Sequence, residues 1–266
     1  GTGELIKHAL DMGCRSIIIG IGGSATNDGG AGAMQALGVR FLDDTGNDIG
    51  FGGGSLDRLY KIDINNLDSR IKDTQITVAC DVDNPLCGTN GASRIFGPQK
   101  SADNTMIEEL DRNLSHYADI IENTLGVNIK DAPGAGAAGG LGGGLMAFLG
   151  ATLKKGVDIV IETVILENKI KDADLVITGE GMMDYQTTYG KTPFGVAKAA
   201  EKHGIPVVAI CGSIGKGAEV LYDNGFASIF SIIDKPMSIE EAIENSSELI
   251  QNCSERVVRA LSITLK

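Results

Sequence analysis

Apolar positions Leu5, Ile6, Ala9 and Leu10 recur at helical spacing and stop at Gly13, which predicts a first amphipathic helix. Ser16-Ile17-Ile18-Ile19 follows as a β-branched run, predicting a buried strand that enters GIGGSATNDGGAG directly. A second strand is predicted from Gln75 to Val82, ending in the acidic loop ACDVDNPLCGTNGA. Beyond it, Ile107, Leu110, Leu114, Tyr117, Ile121 and Leu125 share one face of a predicted helix. Residues 43 to 73 are rich in turn formers and define no clear element. From Asp174 the pattern is regular: strand LVITG, a helix from about Pro193 to His203, strand VVAIC, a helix near Ala218 to Tyr222, strand SIFSII, and a long C-terminal helical stretch. Such alternation implies βαβ units and a parallel sheet. Ligands of these sheets bind beyond the carboxyl ends of the strands. The loops GEGMMDYQTTYGK and GSIGKG stand at those ends, so the chemistry is expected there.

Composition narrows the classes. The stretch from Ala132 to Leu153 is uncharged for 22 residues, long enough to cross a bilayer. Eight of those residues are Gly and one is Pro133, which predicts a glycine loop running into a short buried helix instead. With 266 residues, 42% hydrophobic and 22% charged, the chain reads as about two globular domains, neither disordered nor a disulfide scaffold. Its net charge of -12 repels nucleic acid and anionic lipid, so any bound phosphate must be held by local donors. Five scattered cysteines without a C-x-x-C pair suggest neither disulfides nor zinc and suit a reducing cytoplasm. Three histidines leave little material for a His-built metal centre or a Ser-His-Asp hydrolase. The charged, amphipathic start is unlike a secretory leader, and the absence of an initiating Met is the pattern of a processed or truncated chain.

Three segments carry candidate chemistry. In GGSATNDGG, the backbone around Gly22 and Gly23 and the side chains of Ser24, Thr26 and Asn27 suit a phosphate or carboxylate at a helix N-terminus; a tight turn is the structural alternative. The loop from Gly179 to Lys191 gathers Glu180, Asp184, Gln186, Thr187 and Lys191. Carboxylates beside a lysine suit phosphoryl transfer, which wants Mg2+ ligands, a base and a cation. It is not a Walker A loop, and a solvated polar loop is the alternative. Asp81 and Asp83 follow a strand, where Asp81 could hold a metal-bound water or a substrate hydroxyl, or serve the Asn84-Pro85 turn. The run GAGAAGGLGGGL is explained equally by close backbone packing, a hinge or a ligand.

In that order and spacing, GIGGSATNDGGAG, ACDVDNPLCGTNGA with FGPQK, GAGAAGGLGGGL and TGEGMMDYQTTYGKTPFGVA resemble the bacterial glycerate kinase family over essentially the whole chain. The resemblance implies ATP- and Mg2+-dependent phosphorylation of D-glycerate, usually at the 2-hydroxyl. It implies a Rossmann-like α/β domain with a second α/β domain inserted into it, the catalytic cleft lying between them. Family members carry an Asp-Ser-Phe-Lys motif about a hundred residues ahead of the segment that opens this chain. The sequence therefore looks like the C-terminal two-thirds of such a kinase, residues 1–165 being the inserted domain and 166–266 the C-terminal part of an incomplete Rossmann-like domain. Met182 stands where relatives commonly carry Arg in G-E-G-R-x-D.

The roles then expected are these. Asp184 or Asp81 accepts the hydroxyl proton, Glu180 and Asp28 hold Mg2+, and Lys191 offsets phosphate charge. Gly22, Gly23, Ser24, Thr26, Asn27, Gly179, Gly181, Gln186 and Thr187 bind the nucleotide. Partners are glycerate and ATP, with no nucleic acid and no membrane, and homodimerisation left open. A non-catalytic anion- or nucleotide-binding fragment and a kinase for another small hydroxy acid are the alternatives.

Overall fold

Alternating apolar runs and turn residues build a mixed α/β protein with two parallel three-stranded sheets, in a computed structural model that describes residues 1–263. The chain divides into two units, Gly1–Gly156 and Val157–Lys266.

The first unit contains α1 (Thr2–Asp11), β1 (Ser16–Gly20), α2 (Ala31–Ala36), β2 (Arg40–Leu42), β3 (Lys61–Asp63), β4 (Gln75–Ala79), α3 (Ala92–Phe96), α4 (Asn104–Leu125), α5 (Leu141–Leu149) and β5 (Thr152–Lys154). Its main sheet has the order β1-β4-β5, with Ser16 opposite Gln75 and Thr77 opposite Thr152. The buried strand expected at 16–19 is instead an edge strand. Ile17 and Ile19 pack on the core while Ile18 points to solvent, because an outer strand of a sheet covered on one face alternates. Helix α1 buries Ile6 and Leu10, four residues apart, and leaves Leu5 72% exposed. It lies close against α2 through Gly3, where a Cβ would fall 2.1 Å from the Ala33 carbonyl oxygen.

Helix α4 begins where the Asp103 carboxylate accepts from the Met106 N–H at 2.9 Å and ends at left-handed Gly126. Of its predicted apolar face, Ile107, Leu114, Tyr117 and Ile121 are buried, with Leu110 and Leu125 partly so. The turn-rich stretch 43–73 holds β3, which pairs antiparallel with β2, two 3₁₀ turns at Gly53–Arg58 and Ser69–Asp73, and an Asx-type turn in which Thr45 N–H donates to Asp43 at 3.0 Å. The uncharged stretch 132–153 is the expected glycine loop followed by buried α5. No helix of the described residues is long and apolar enough to cross a membrane.

The second unit contains α6 (Gly156–Thr163), α7 (Leu166–Ile170), β6 (Val176–Thr178), β7 (Met182–Met183), α8 (Thr192–Glu201), β8 (Val207–Cys211), β9 (Ser213–Ile214), β10 (Phe226–Ser231), α9 (Ile239–Glu244) and α10 (Ser246–Leu261). The division falls after Gly156, the first residue of α6, and Val157 and Ile161 of that helix pack on Gly195 of α8. All pairings in the sheet β10-β8-β6 are parallel. VVAIC is its central strand and is almost wholly buried, as a strand covered on both faces must be. Leu249, Cys253 and Val257 recur every four residues along α10 and bury with Val208 and Ile232. The segment 218–222 forms a 3₁₀ turn, Ala218–Asn224, rather than an α-helix, since left-handed Gly217 and Gly225 bracket only seven residues.

Arg70 fastens the first unit at one end, its guanidinium 2.6 Å from Asp68 and 2.8 Å from Asp11 at the end of α1. The hydrogen-bonded guanidinium holds the largely buried Asp68 carboxyl down, from an ordinary 3.8 to about 2. A lowered carboxyl contributes fully above its unfolded pKa and loses that contribution as pH falls toward about 2. Asp68→Asn should therefore cost about 1–2 kcal/mol at neutral pH and almost nothing at pH 2, checked by urea unfolding at both.

Candidate functional site

In the first unit, the loop after β1 is shaped by backbone-on-backbone contact. The Gly29 N–H donates to the Gly139 carbonyl at 3.0 Å. A Cβ on Gly139 would lie 2.0 Å from the Thr26 carbonyl oxygen, and one on Gly144 would lie 2.3 Å from that of Gly29. The run GAGAAGGLGGGL thus serves close packing. The short helix α2 does not offer its N-terminus to an anion, because Asp28 already occupies it. One Asp28 oxygen accepts from Gly30 N–H at 3.0 Å and the other from Gly32 N–H at 3.1 Å, and the side chain is buried.

Gly22, Gly23 and Ser24 line a cavity of about 530 Å³ together with Asp81, Gln99 and Lys100. Asp81 is exposed just beyond β4, one oxygen accepting from Gly156 N–H at 2.9 Å. Thr26 and Asn27 do not line this cavity. The Thr26 carbonyl accepts from Lys100, and the Asn27 amide donates to the Ser93 hydroxyl at 2.8 Å, facing a smaller cavity of about 210 Å³. Lys100 has no role assigned on sequence grounds, although FGPQK belongs to the motif set. It ends a 3₁₀ turn, Pro98–Lys100, and its ammonium donates to Ser24 Oγ at 2.9 Å and to the Thr26 carbonyl at 2.6 Å. Burial pushes its pKa down, against an opposing pull from Asp28.

In the second unit, the loop beyond β6 is zipped to the loop beyond β8. Gly212 and Ser213 donate their N–H groups to the Glu180 and Gly181 carbonyls at 3.2 and 3.0 Å, and β7 pairs in parallel with β9. Gly179 is needed for this approach, a Cβ there falling 2.0 Å from the Ile210 carbonyl oxygen. The fixed loop then presents a cluster. Thr187, wholly buried, donates its hydroxyl to Glu180 Oε1 at 2.6 Å and accepts from Asp184 N–H at 3.3 Å, so it orients Glu180 rather than facing a ligand. Asp184 is buried, with one oxygen accepting from Gln186 N–H at 2.9 Å. Lys191 Nζ lies 4.0 Å from Glu180 Oε1 and 3.8 Å from Asp184 Oδ1. Gln186 is not in the cluster; its amide donates to the Tyr185 hydroxyl at 3.3 Å on the surface. Glu180, Gly179 and Gly181 also edge an apolar-walled cavity of about 820 Å³ at the carboxyl ends of β6 and β8.

A parallel sheet whose carboxyl-end loop gathers two carboxylates and a lysine suits an α/β enzyme of the phosphotransferase class. A glycerate kinase family profile matches residues 1–262. The chain is 54% identical to glycerate 2-kinase of Escherichia coli (strain K12), over 100% of this chain and 70% of that protein. It is 52% identical to glycerate kinase of Bacillus subtilis (strain 168), over 100% of this chain and 69% of that protein. A crystal structure from Salmonella typhimurium LT2, assigned as a glycerate kinase 2, superposes with a TM-score of 0.84 at 51% identity, covering 98% of this chain and 68% of that one. The chain belongs to the glycerate kinase family.

Gly144 separates two effects in sign. Alanine is the better helix former, so propensity alone predicts that Gly144→Ala stabilises α5. The clash with the Gly29 carbonyl predicts a loss of about 2 kcal/mol or more, read as a lower melting temperature.

Proposed function

We propose that the protein phosphorylates D-glycerate, giving 2-phosphoglycerate, by in-line transfer from ATP. The reading rests on one observation above the rest: a lysine held within 4.0 Å of two carboxylates in a loop fixed at the ends of parallel strands. Phosphoryl transfer needs little covalent help from a protein and is catalysed by positioning and electrostatics. Lys191 offsets charge on the transferring group. Asp184 accepts the proton of the attacking hydroxyl, with Asp81 as the alternative acceptor.

The donor set also fits a magnesium ion. Among the described residues no three or more His, Cys, Asp or Glu side chains form a cage, and Mg2+ commonly takes only one or two carboxylates where phosphates complete its shell. Glu180, held by the Thr187 hydroxyl, and Asp184 are the side chains that would hold it. Asp28 is left out of that set, since both of its oxygens are engaged by Gly30 and Gly32. When bound, the ion supplies positive charge to the phosphate oxygens.

Gly181, with open space where a Cβ would stand, provides close backbone approach for the nucleotide, while Gly179 is taken up by the Ile210 carbonyl. Met182 leaves Lys191 as the cation of this loop that meets the phosphates. On the same reading, the first unit is an inserted α/β domain and the second the C-terminal part of a Rossmann-like domain.

Asn at position 184 keeps the acceptor that Gln186 N–H uses and removes the base. Asp184→Asn should lower kcat by at least about a hundredfold with unchanged far-ultraviolet circular dichroism, measured as ADP formed with D-glycerate present. Near-normal turnover would exclude Asp184 as the proton acceptor.

A further inference from the structure

Lys100 is an unusual cation for a chain of net charge -12. It is half-buried, and among the described residues its ammonium meets only neutral acceptors, the Ser24 hydroxyl and the Thr26 carbonyl. A partly desolvated cation without an ion pair favours an anion beside it. The Ser24 hydroxyl accepts from Lys100, so its own proton is directed elsewhere, and Ser24 lines the same cavity as Lys100. The backbone N–H groups of Gly22 and Gly23, also on that wall, donate to no acceptor among the described residues. Asp81 stands on the cavity as well. Its Oδ1 is held by Gly156 N–H, which leaves Oδ2 without a protein donor among the described residues. One cavity thus offers a cation with neutral donors for a carboxylate and a free carboxylate oxygen for a hydroxyl.

We infer that this cavity in the first unit binds the acceptor acid, its carboxylate on Lys100, Ser24 and the 22–23 backbone and one of its hydroxyls on Asp81. The inference rests on the reading of the protein as a hydroxy-acid kinase and adds to it the residues that select an acid over a neutral polyol. Lys100 is then a specificity-determining residue. The volume of about 530 Å³ is ample for a three-carbon acid.

The test is isothermal titration of the 266-residue chain with D-glycerate, with neutral glyceramide, and separately with MgATP. Wild type should bind glycerate at least about tenfold more tightly than glyceramide, the difference expected of a charge-assisted contact. Lys100→Gln should lose that preference and keep MgATP affinity within about twofold. Lys100→Arg should retain part of the preference. Ser24→Ala, which leaves the cation in place, should weaken glycerate by a smaller factor.

Equal affinity for glycerate and glyceramide in wild type, no glycerate binding by wild type, or undiminished glycerate binding by folded Lys100→Gln would each overturn the assignment. So would loss of MgATP rather than glycerate in that variant, which would make the cavity a nucleotide site. The two readings fail separately. Glycerate binding that depends on Lys100 without phosphoryl transfer keeps the acid site and rejects the kinase reading. Transfer with an unchanged glycerate KM in Lys100→Gln keeps the kinase and rejects the acid site.

Discussion

The contact on which the first unit's site depends is glycine backbone against glycine backbone. Gly139 and Gly144 let the 134–144 segment come within hydrogen-bonding distance of residues 26–29, a separation that any Cβ there would prevent. Its consequences are local. The loop is held from below by the ring of wholly buried Tyr117, against which Gly29 packs, and from the side by Asn27 on Ser93. With its outer residues fixed, the loop turns Gly22, Gly23 and Ser24 toward the cavity and gives Lys100 the Ser24 hydroxyl and the Thr26 carbonyl to rest on. Such precision costs stability elsewhere, since glycines lose the most conformational freedom on folding. Long α4, capped at both ends and burying Tyr117 and Ile121, supplies a rigid support beneath it.

The two lysines that matter sit in opposite electrostatic settings. Lys191 lies between Glu180 and Asp184, so its charge is already matched and the cluster as a whole is anionic. That arrangement suits a metal-bound phosphate chain, in which positive charge arrives with the ligand. Lys100 has only neutral partners at bonding distance and is partly withdrawn from water, with Asp28 acting on it from farther off, so it has no ion-pair partner until an anion enters. That arrangement suits a bare carboxylate. In so acidic a protein neither task falls to a broad basic field, and each rests on local donors.

The parts of the fold legible in the sequence were those where one physical signal dominates. LVITG, VVAIC and SIFSII are β-branched or apolar runs bounded by turns, and all three lie in one parallel sheet. The polar loops at their ends could be singled out as the place for chemistry because topology fixes which end of a strand carries ligands. Less was legible where the outcome is set by tertiary neighbours. Whether Ile18 meets core or solvent depends on whether the second face of its sheet is covered, which a run of isoleucines does not state. Asp28 reads as a metal ligand in a glycine loop, but the same residue type caps helices, and here both of its oxygens do so. Thr187 reads as a ligand contact and is a buried support for Glu180. Lys100 had no local signal, since the groups that give it meaning lie 74 and 76 residues away along the chain.

On the proposed function, the protein moves a phosphoryl group from ATP onto a hydroxy acid. The most direct measurement is 31P NMR of the 266-residue chain incubated with MgATP and D-glycerate. Transfer to the 2-hydroxyl should show as loss of the γ-phosphate resonance and growth of a phosphomonoester on the secondary carbon of glycerate, dependent on both substrates. A folded protein that binds ATP yet yields no glycerate phosphoester, or one that esterifies the primary hydroxyl alone, would contradict it.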